Sequence, residues 1–494
     1  MIVLPHSTPG SLDPLRRYAL EVLVDLSRVV PASASIEGAV RLESIDTDAP
    51  VGVAGVISGA AWLVGDGVVR IPAKALDLVG ELVGAVAEQR STAADRHGRV
   101  PSSENPFVAS GLERAPVMSQ AAVGLRRAVI AAAGRRQVVM AAPWPGGHRW
   151  AVAFTHDVDV VAWWPAFSAL RVAELLRGGH VALAGRVIGA FLRTLGRDPV
   201  LAGIRRVLDV ERRATLPATW FFLSGTPSLR SMAAGDVTYG VESRRVRRVV
   251  EAVRTAGHEI GLHGSFATCY SRLALEEERE RLRRVSGSPV AGVRQHFLRM
   301  RPGRTQRAMS EAGFVYDATY GFPDRSGFRL GVADIVPGWD ADAGRRSGVE
   351  EVPLVWMDRA LSKYSGVEDP AAWVADAAQL LARCASVEGL WTGLWHPNLT
   401  GPLGFIGAEQ ALEGIVTSAV SKAPYTATIQ QLVNWRRARR ALIIEEVAPD
   451  GRLRASTTAS TDDPARTPAP RIEDPEMRAI PLRALDVVRR ERAS

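Results

Sequence analysis

The sequence has very little cysteine and almost no lysine. Two cysteines, Cys269 and Cys384, occur among 494 residues, which excludes a disulfide scaffold and a zinc site built from four thiolates. Any metal would therefore be held by histidine and carboxylate side chains. Hydrophobic residues make up 47% and charged residues 23% of the chain. These values are typical of globular proteins, so the chain is not disordered as a whole.

Long hydrophobic runs are also missing. The stretch from Val51 to Val64 covers about 14 residues and is broken by glycines, whereas a helix that crosses a bilayer needs roughly 20. The N-terminal residues, Met1 to His6, lack the basic and apolar regions of a signal peptide. We therefore expect no membrane-spanning helix and a cytoplasmic protein, with peripheral membrane association as the alternative.

The basic residues are almost all arginine. The formal net charge is +8, and three lysines stand beside 58 arginines. An excess of basic residues favours encounter with anionic partners, but it does not indicate which reaction the protein carries out. The arginines are scattered, and no aromatic RNA-binding signature accompanies them, so we expect no nucleic-acid partner.

Turn-forming residues divide the chain into three parts. Residues 1–145 mix helical patterns with short strand-like runs, of which Val51–Ile57 is one predicted strand. They are predicted to form a smaller α+β accessory domain. A Pro-Trp-Pro-Gly-Gly turn at 143–147 ends this part. Residues 146–440 alternate apolar strands with amphipathic helices. Residues 441–494 contain two strand-like pieces and a polar tail.

The alternation in the middle part predicts a barrel. About seven βα units of roughly 30 to 45 residues indicate parallel strands with right-handed crossovers, closed or nearly closed on themselves. Arginine-rich amphipathic helices are inserted between the first two strands, at Trp163–Thr215. Such helices either cover the barrel or lie on an anionic membrane surface, and both interpretations stay open here.

Polar side chains follow the predicted strands at the ends where barrels of this type carry their chemistry. The first pair, Asp157 and Asp159, points to one side because side chains alternate along a strand. Like charges so close repel each other unless a cation lies beside them, although a solvated turn would also explain the pair. The residues at these strand ends are Asp157, Asp159, His263, Arg294, His296, Asp317 and His396.

Three of these side chains have complementary chemical properties. His263 offers a neutral imidazole as a metal ligand. Arg294 can keep a neighbouring carboxylate ionised, and His396, held by the proline that follows it, is suited to act as a general acid. Each of these side chains could also simply pack inside the protein or lie in solvent at its surface. Together they favour a metal-dependent hydrolase.

The order of these motifs resembles the polysaccharide deacetylase family of NodB-homology type, in a subgroup with a Thr-His-Asp-Val-Asp motif and an extra N-terminal domain. The resemblance implies a distorted (β/α)7 barrel preceded by the smaller α+β domain. It also implies hydrolysis of N- or O-acetyl groups on sugars with a divalent metal. The motifs are Thr155–Asp159, Glu259–Ser265, Arg294–Arg299, Tyr316–Phe322, Glu351–Asp358 and Leu394–Asn398.

The resemblance also implies a role for individual residues. Asp157 matches the catalytic base, and Arg294 matches the arginine that orients it. Asp159 and His263 match metal ligands, and His396 matches the histidine that protonates the leaving group.

One position departs from the family pattern. Four residues after His263, where a second metal-binding histidine is expected, the chain has Ala267. Two ligands hold zinc poorly, because catalytic zinc sites use three protein ligands. We predict that His296 is the third ligand, because it alternates to the same face as Arg294. The alternative is that His296 binds substrate in a metal-poor or inactive site.

The sequence therefore predicts a metal-dependent deacetylase acting on an acetylated polysaccharide, cell-wall sugar or lipid-linked sugar. Zinc is the expected metal, with cobalt, nickel, iron and manganese as alternatives. Two other functions remain open: a catalytically degenerate glycan-binding protein and a metal amidohydrolase acting on a non-sugar amide. Tyr239, Asp317 and Asp358 are weaker candidates for contact with substrate or with the residues around the site, and a packing or turn role is favoured for each.

Overall fold

The computed structural model describes residues 2–3, 12–33, 36, 39–47, 51–136, 138–161, 164–193 and 198–447, together with four short segments near the C-terminus. Those segments are 453–457, 470–473, 479–480 and 486–489. Trp163, at the start of the predicted insertion, and most of the predicted polar tail lie outside the described residues.

The strands, in chain order, are β1 (Ile2–Val3), β2 (Val40–Ile45), β3 (Leu63–Gly65), β4 (Val68–Pro72), β5 (Val138–Ala141), β6 (Ala151–Val158), β7 (Ala218–Leu223), β8 (Glu259–Gly264), β9 (Gly292–Gln295), β10 (Tyr316–Asp317), β11 (Val336–Asp340), β12 (Arg345–Glu351), β13 (Trp356–Met357), β14 (Leu390–Leu394), β15 (Tyr425–Thr426), β16 (Leu442–Val447), β17 (Leu453–Thr457), β18 (Pro470–Glu473), β19 (Ala479–Ile480) and β20 (Asp486–Arg489).

The α-helices are α1 (Pro14–Ser27), α2 (Val53–Ser58), α3 (Ala73–Val83), α4 (Val86–Arg90), α5 (Pro106–Ala109), α6 (Val117–Ala133), α7 (Trp164–Arg177), α8 (Val181–Arg193), α9 (Pro199–Arg213), α10 (Leu229–Ala233), α11 (Arg244–Thr255), α12 (Arg272–Ser286), α13 (Arg304–Glu311), α14 (Pro370–Ser386), α15 (Ala408–Val420) and α16 (Ile429–Arg440). A π-helical turn covers Ala360–Tyr364.

The N-terminal part is built on a small sheet in the order β1-β2-β4-β3, against which α1, α3 and α6 pack. The strand prediction at Val51–Ile57 is wrong, because these residues belong mostly to helix α2. The helix buries Val56 and ends at Gly59, which has the positive φ of 77° typical of a helix C-terminus. An apolar run this short does not distinguish strand from helix by periodicity.

The middle part forms a ring of parallel strands. β10, β9, β8, β7, β6, β14 and β13 pair side by side in that order, and β12 pairs with the free edge of β10. Only residues 352–355 separate β12 from β13, so these two strands are the halves of one interrupted strand. Val352 N–H donates to Asp317 O at 2.8 Å, and Val355 N–H donates to Thr392 O at 3.0 Å.

The interrupted strand therefore connects both ends of the sheet and completes seven positions around the ring. This confirms the predicted α/β fold with a distorted (β/α)7 barrel. The strands are buried on both sides, as in β6, in which all eight residues are buried, because helices cover the outside. All carboxyl ends of the parallel strands open at one mouth.

The insertion between β6 and β7 has two different parts. Helix α9 covers the barrel, with Val200, Ile204 and Val207 in the main core. Helices α7 and α8 pack on each other and leave apolar side chains exposed, each between 48% and 66% accessible. These side chains are Leu170, Leu176, Val181, Ile188 and Leu192. None of the helices in the described ranges is both long and apolar enough to cross a membrane.

The two termini of the described chain meet. β5 pairs antiparallel with β18 near the C-terminus, and Ser33 N–H donates to Ile444 O at 2.8 Å. Asp25 in α1 accepts hydrogen bonds from three arginines of α16. The predicted domain boundaries at 145 and 440 concern which parts of the chain fold independently, and they stay predictions.

Candidate metal centre and acid–base site

The strand ends bring the predicted site residues together. Asp157 is near the end of β6 and Asp159 follows it, while His263 lies near the end of β8. His296 follows β9, and His396 lies two residues after β14. Because these strands are parallel neighbours in one ring, the five side chains reach the same mouth of the barrel although they are far apart in the sequence.

Three of them form a compact group of potential ligand atoms. His263 Nε2 lies 3.3 Å from Asp159 Oδ1, and His296 Nε2 lies 3.6 Å from the same oxygen. All three ligand atoms lie within 4.8 Å of one another. Such a cluster of two imidazoles and one carboxylate is a donor set that suits zinc and similar transition metals better than magnesium or calcium.

The hydrogen bonds of the two rings define which nitrogens face the cluster. His263 Nδ1 lies 3.0 Å from Arg294 O, and His296 Nδ1 lies 3.4 Å from Asp236 Oδ1. Both partners are acceptors, which assigns Nδ1 as the donor of each ring; in the neutral imidazole Nε2 then presents a lone pair. Asp159 Oδ1 is buried and has no hydrogen-bond donor among the described residues. Three electron-rich atoms that face one another in this way fit a bound cation.

The position that departs from the family pattern is outside this group. Ala267 is exposed in the short 3-10 turn at Phe266–Cys269, and His296 supplies the second imidazole of the cluster instead. The arrangement supports the prediction that His296 is a ligand.

The charges in the cluster shift the pKa values of its members. Burial raises the pKa of Asp159, but His296 and His263 outweigh burial and hold it well below its usual range. Burial lowers the pKa of His263, but the carboxylates of Asp157 and Asp159 outweigh burial and raise it. The site therefore holds an ionised carboxylate that stabilises positive charge, from a proton or from a metal ion.

A second carboxylate, Asp157, is paired with an arginine. Arg294 Nη1 donates to Asp157 Oδ1 and to Thr155 Oγ1, both at 2.9 Å, and the guanidinium lies 4.5 Å from the centre of the Phe221 ring. Burial raises the pKa of Asp157, but His263 and Arg294 outweigh burial and lower it. Asp157 Oδ2 faces the cluster, 3.7 Å from His263 Nε2. This is the environment of an ionised general base.

The last histidine is held by its own carboxylate. Asp358 Oδ1 lies 2.6 Å from His396 Nδ1, and Asp358 Oδ2 accepts from the His396 backbone N–H at 2.6 Å. His396 Nε2 points to the cluster, 3.8 Å from Asp159 Oδ2. Burial lowers the pKa of His396, but Asp358 outweighs burial and raises it to about 9. His396 is therefore protonated at neutral pH and suited to donate a proton.

The other predicted substrate contacts do not reach the cleft. Asp317 is buried and accepts from Gln306 Nε2 at 2.9 Å and from Thr319 N–H at 2.8 Å. The buried Tyr239 hydroxyl donates to Val158 O at 2.7 Å. Neither side chain lines the cleft at the barrel mouth, and neither does Asp358. Their contacts hold strand ends, neighbouring turns or His396 in place.

The cleft at the mouth has a volume of 410 Å³, and part of its wall comes from residues that the sequence did not indicate. His97 and Arg99 lie in the N-terminal part, between helices α4 and α5, and Arg359 and Lys363 follow β13. Asp236, the partner of His296, lies in an irregular segment after α10. No motif marks these positions, because each depends on contacts between distant parts of the chain.

The N-terminal segment packs directly beside a candidate ligand. The Phe297 ring is stacked between His97, at 4.7 Å between ring centres, and His296, at 4.2 Å. Arg99 Nη1 donates to Phe297 O at 2.7 Å. Phe297 has a positive φ of 58°, which is unfavourable for a side chain of this size. The contacts from His97 and Arg99 stabilise this turn and, with it, the orientation of His296.

Comparison with known proteins concerns the fold of the barrel. No family model and no curated protein matches the chain. A candidate polysaccharide deacetylase from Mycobacterium smegmatis has a similar structure, with 24% identity over 60% of this chain and 93% of its own, at a TM-score of 0.41. A second candidate polysaccharide deacetylase, from Pseudomonas aeruginosa PAO1, has 17% identity over 60% and 94%, at a TM-score of 0.39.

A CE4 family pseudoenzyme from Bacillus anthracis is also similar, with 13% identity over 57% of this chain and 64% of its own, at a TM-score of 0.25. The first two of these proteins are described as polysaccharide deacetylases, the family that the motifs resemble. At these identities and TM-scores the similarity assigns no chemistry to this chain, and the assignment of chemistry depends on the site.

Proposed function

We propose that this protein is a metal-dependent deacetylase that hydrolyses N- or O-acetyl groups of a carbohydrate. One observation carries the proposal: a candidate metal centre, an ionised base paired with arginine, and a cationic histidine paired with aspartate face the same cleft. Hydrolysis of an acetyl group needs a polarised carbonyl, an acceptor for the proton of water and a donor for the leaving group.

Each residue has a defined role in this reaction. Asp159, His263 and His296 would hold the metal, which supplies Lewis acidity to the acetyl carbonyl and to water. Asp157 accepts the proton of the attacking water, and Arg294 keeps Asp157 ionised and oriented. His396 donates its proton to the departing sugar amine or alkoxide. Zinc is the metal we propose, because the donor set is two nitrogens and one oxygen.

The test is acetate release from chitin oligosaccharides and from acetylated xylan, by purified protein before chelation, after chelation and after zinc is returned. We expect release that chelation abolishes and zinc restores. Tightly bound metal with hydrolysis of cyclic imides but of no acetylated sugar would favour the amidohydrolase alternative. Glycan binding without acetate release, whichever metal is added, would favour the alternative of a catalytically degenerate glycan-binding protein.

Asp358 sets the charge of His396, so the variant Asp358→Asn should change the pH dependence. A neutral amide no longer stabilises the imidazolium, and the pKa of His396 falls. We expect the alkaline limb of the kcat/KM profile to move to lower pH by about one unit or more. Asp317→Asn, which changes a buried carboxylate without contact to His396, is the control. An unmoved alkaline limb in Asp358→Asn would contradict the role of His396 as general acid.

We also propose that α7 and α8 rest on an anionic membrane surface. Their exposed Leu176, Ile188 and Leu192 are accompanied by four arginines and one glutamate between 164 and 193, a composition that favours anionic lipid. The whole chain should sediment with phosphatidylglycerol vesicles at low salt and not with phosphatidylcholine vesicles.

The triple variant Leu176→Glu, Ile188→Glu and Leu192→Glu should abolish this sedimentation. The control Leu273→Glu, at an exposed leucine of α12, should not. Sedimentation that the triple variant retains would overturn the membrane proposal. The cytoplasmic location stays a separate prediction, which fractionation of the producing cells would test.

A further inference from the structure

The charged residues of the cleft are not all balanced. Two arginines in its wall have carboxylate partners: Arg99 lies 2.7 Å from Asp95, and Arg171 lies 2.7 Å from Glu174. The positive charges of these two arginines are therefore compensated inside the protein, and they are weak candidates for binding a charged substrate.

Two other cations in the same wall have no such partner. Within the described part of the chain, Arg359 and Lys363 make no hydrogen bond and no ion pair. Arg359 is half-buried, with its guanidinium 5.2 Å from the centre of the Phe405 ring. Lys363 is exposed, with Nζ 5.9 Å from the centre of the Tyr364 ring. Each charge thus lies near an aromatic ring and forms no direct ion pair with a carboxylate of the described chain.

The cost of this arrangement is visible in the acid–base properties of both groups. Burial lowers the pKa of Arg359. Burial and the nearby charge of Arg359 lower the pKa of Lys363. Asp358 and Glu174 act on Arg359, and Glu174 acts on Lys363, in the opposite direction, but neither carboxylate outweighs burial. An anion bound beside both cations would therefore be stabilised.

Their position connects two cavities. The cleft of 410 Å³ at the candidate metal centre and a neighbouring cavity of 390 Å³ share the wall formed by Arg171, Glu174, Arg359, Lys363 and Phe405. Lys363 lies in the π-helical turn at Ala360–Tyr364, directly after Arg359. Turns of this type are rare and are often found at functional sites.

We propose that Arg359 and Lys363 bind an anionic group on the acetylated sugar, a phosphate or a carboxylate, while the acetyl group lies at the metal centre. The proposal rests on the deacetylase function and adds a substrate class to it: anionic rather than neutral glycans.

The test compares three substrates on the whole metal-loaded protein: N-acetylglucosamine, N-acetylglucosamine 1-phosphate and N-acetylmuramic acid. In Lys363→Gln and Arg359→Gln we expect kcat/KM to fall about tenfold or more on the anionic substrates, because a charge-assisted contact is lost. On the neutral sugar the change should stay below about twofold. Lys74→Gln, at an exposed lysine of α3, is the matched control.

Loss confined to the phosphate or to the carboxylate substrate identifies the anion, and loss on both supports a general anion site. Equal losses on neutral and anionic sugars would overturn the proposal, because a structural role affects all three. If no sugar releases acetate, titration of N-acetylglucosamine 1-phosphate against chelated protein decides separately. Binding that both variants weaken supports the anion site without the deacetylase function, and absent or unaltered binding rejects it.

Discussion

Replacement of His296 by alanine is expected to remove the bound metal. His296 Nε2 is one of three ligand atoms in the cluster, and two ligands do not hold zinc in a catalytic site. Loss of a residue that only hydrogen-bonds to a metal ligand already lowers metal affinity about 10- to 100-fold. Loss of a direct ligand should therefore lower it more than about 100-fold. Metal per chain after gel filtration should fall from about one to near zero, as measured by plasma mass spectrometry.

The control for this experiment is His180→Ala, which removes a half-exposed imidazole between α7 and α8. Its metal content should match that of the unchanged protein. Circular dichroism of both variants distinguishes loss of a ligand from loss of the fold. A folded His296→Ala protein with full metal content would reject His296 as a ligand. It would favour the alternative that His296 binds substrate.

Asp157→Asn is expected to abolish activity while metal stays bound. The amide has the shape of the carboxylate but cannot accept the proton of water, and loss of a general base costs about 10²- to 10⁴-fold in rate. The same change leaves Arg294 buried without its anion, which should destabilise the fold by about 3 kcal/mol. Acetate release and the free energy of unfolding in urea measure the two effects.

The double variant Asp157→Asn with Arg294→Met separates these effects. Removal of the buried guanidinium relieves the unpaired charge, so the double variant should be more stable than Asp157→Asn alone. Activity should stay absent, because the base is still missing. If Asp157→Asn kept more than about a tenth of the activity, Asp157 would not be the base, since a general base contributes at least about 100-fold.

The barrel and the group of polar residues at the ends of its strands could be predicted from the sequence. Apolar strands followed by polar residues occur at a regular spacing, and parallel strands bring their carboxyl ends together whatever the exact register. Alternation from Arg294 made His296 a candidate ligand, because that relation is local, but it could not show which side chains His296 would face. The strand prediction at Val51–Ile57 failed because a short apolar run has no period that separates strand from helix.

The contacts that complete the site could not be predicted. Asp236 faces His296 from an irregular loop, and His97 and Arg99 reach Phe297 from nearly 200 residues away in the chain. The roles of Asp317 and Tyr239 also depended on the structure, because their surroundings decide whether a polar side chain faces substrate or backbone.

The sequence by itself determined the barrel class, the spacing of the acid, base and imidazole groups, and the replacement of one expected ligand by Ala267. These features depend on local alternation and on the order of motifs. Only the tertiary structure decided that His296 joins Asp159 and His263, and that Arg359 and Lys363 share the cleft without a carboxylate partner among the described residues. Those relations depend on contacts between distant segments, which packing establishes and no local pattern encodes.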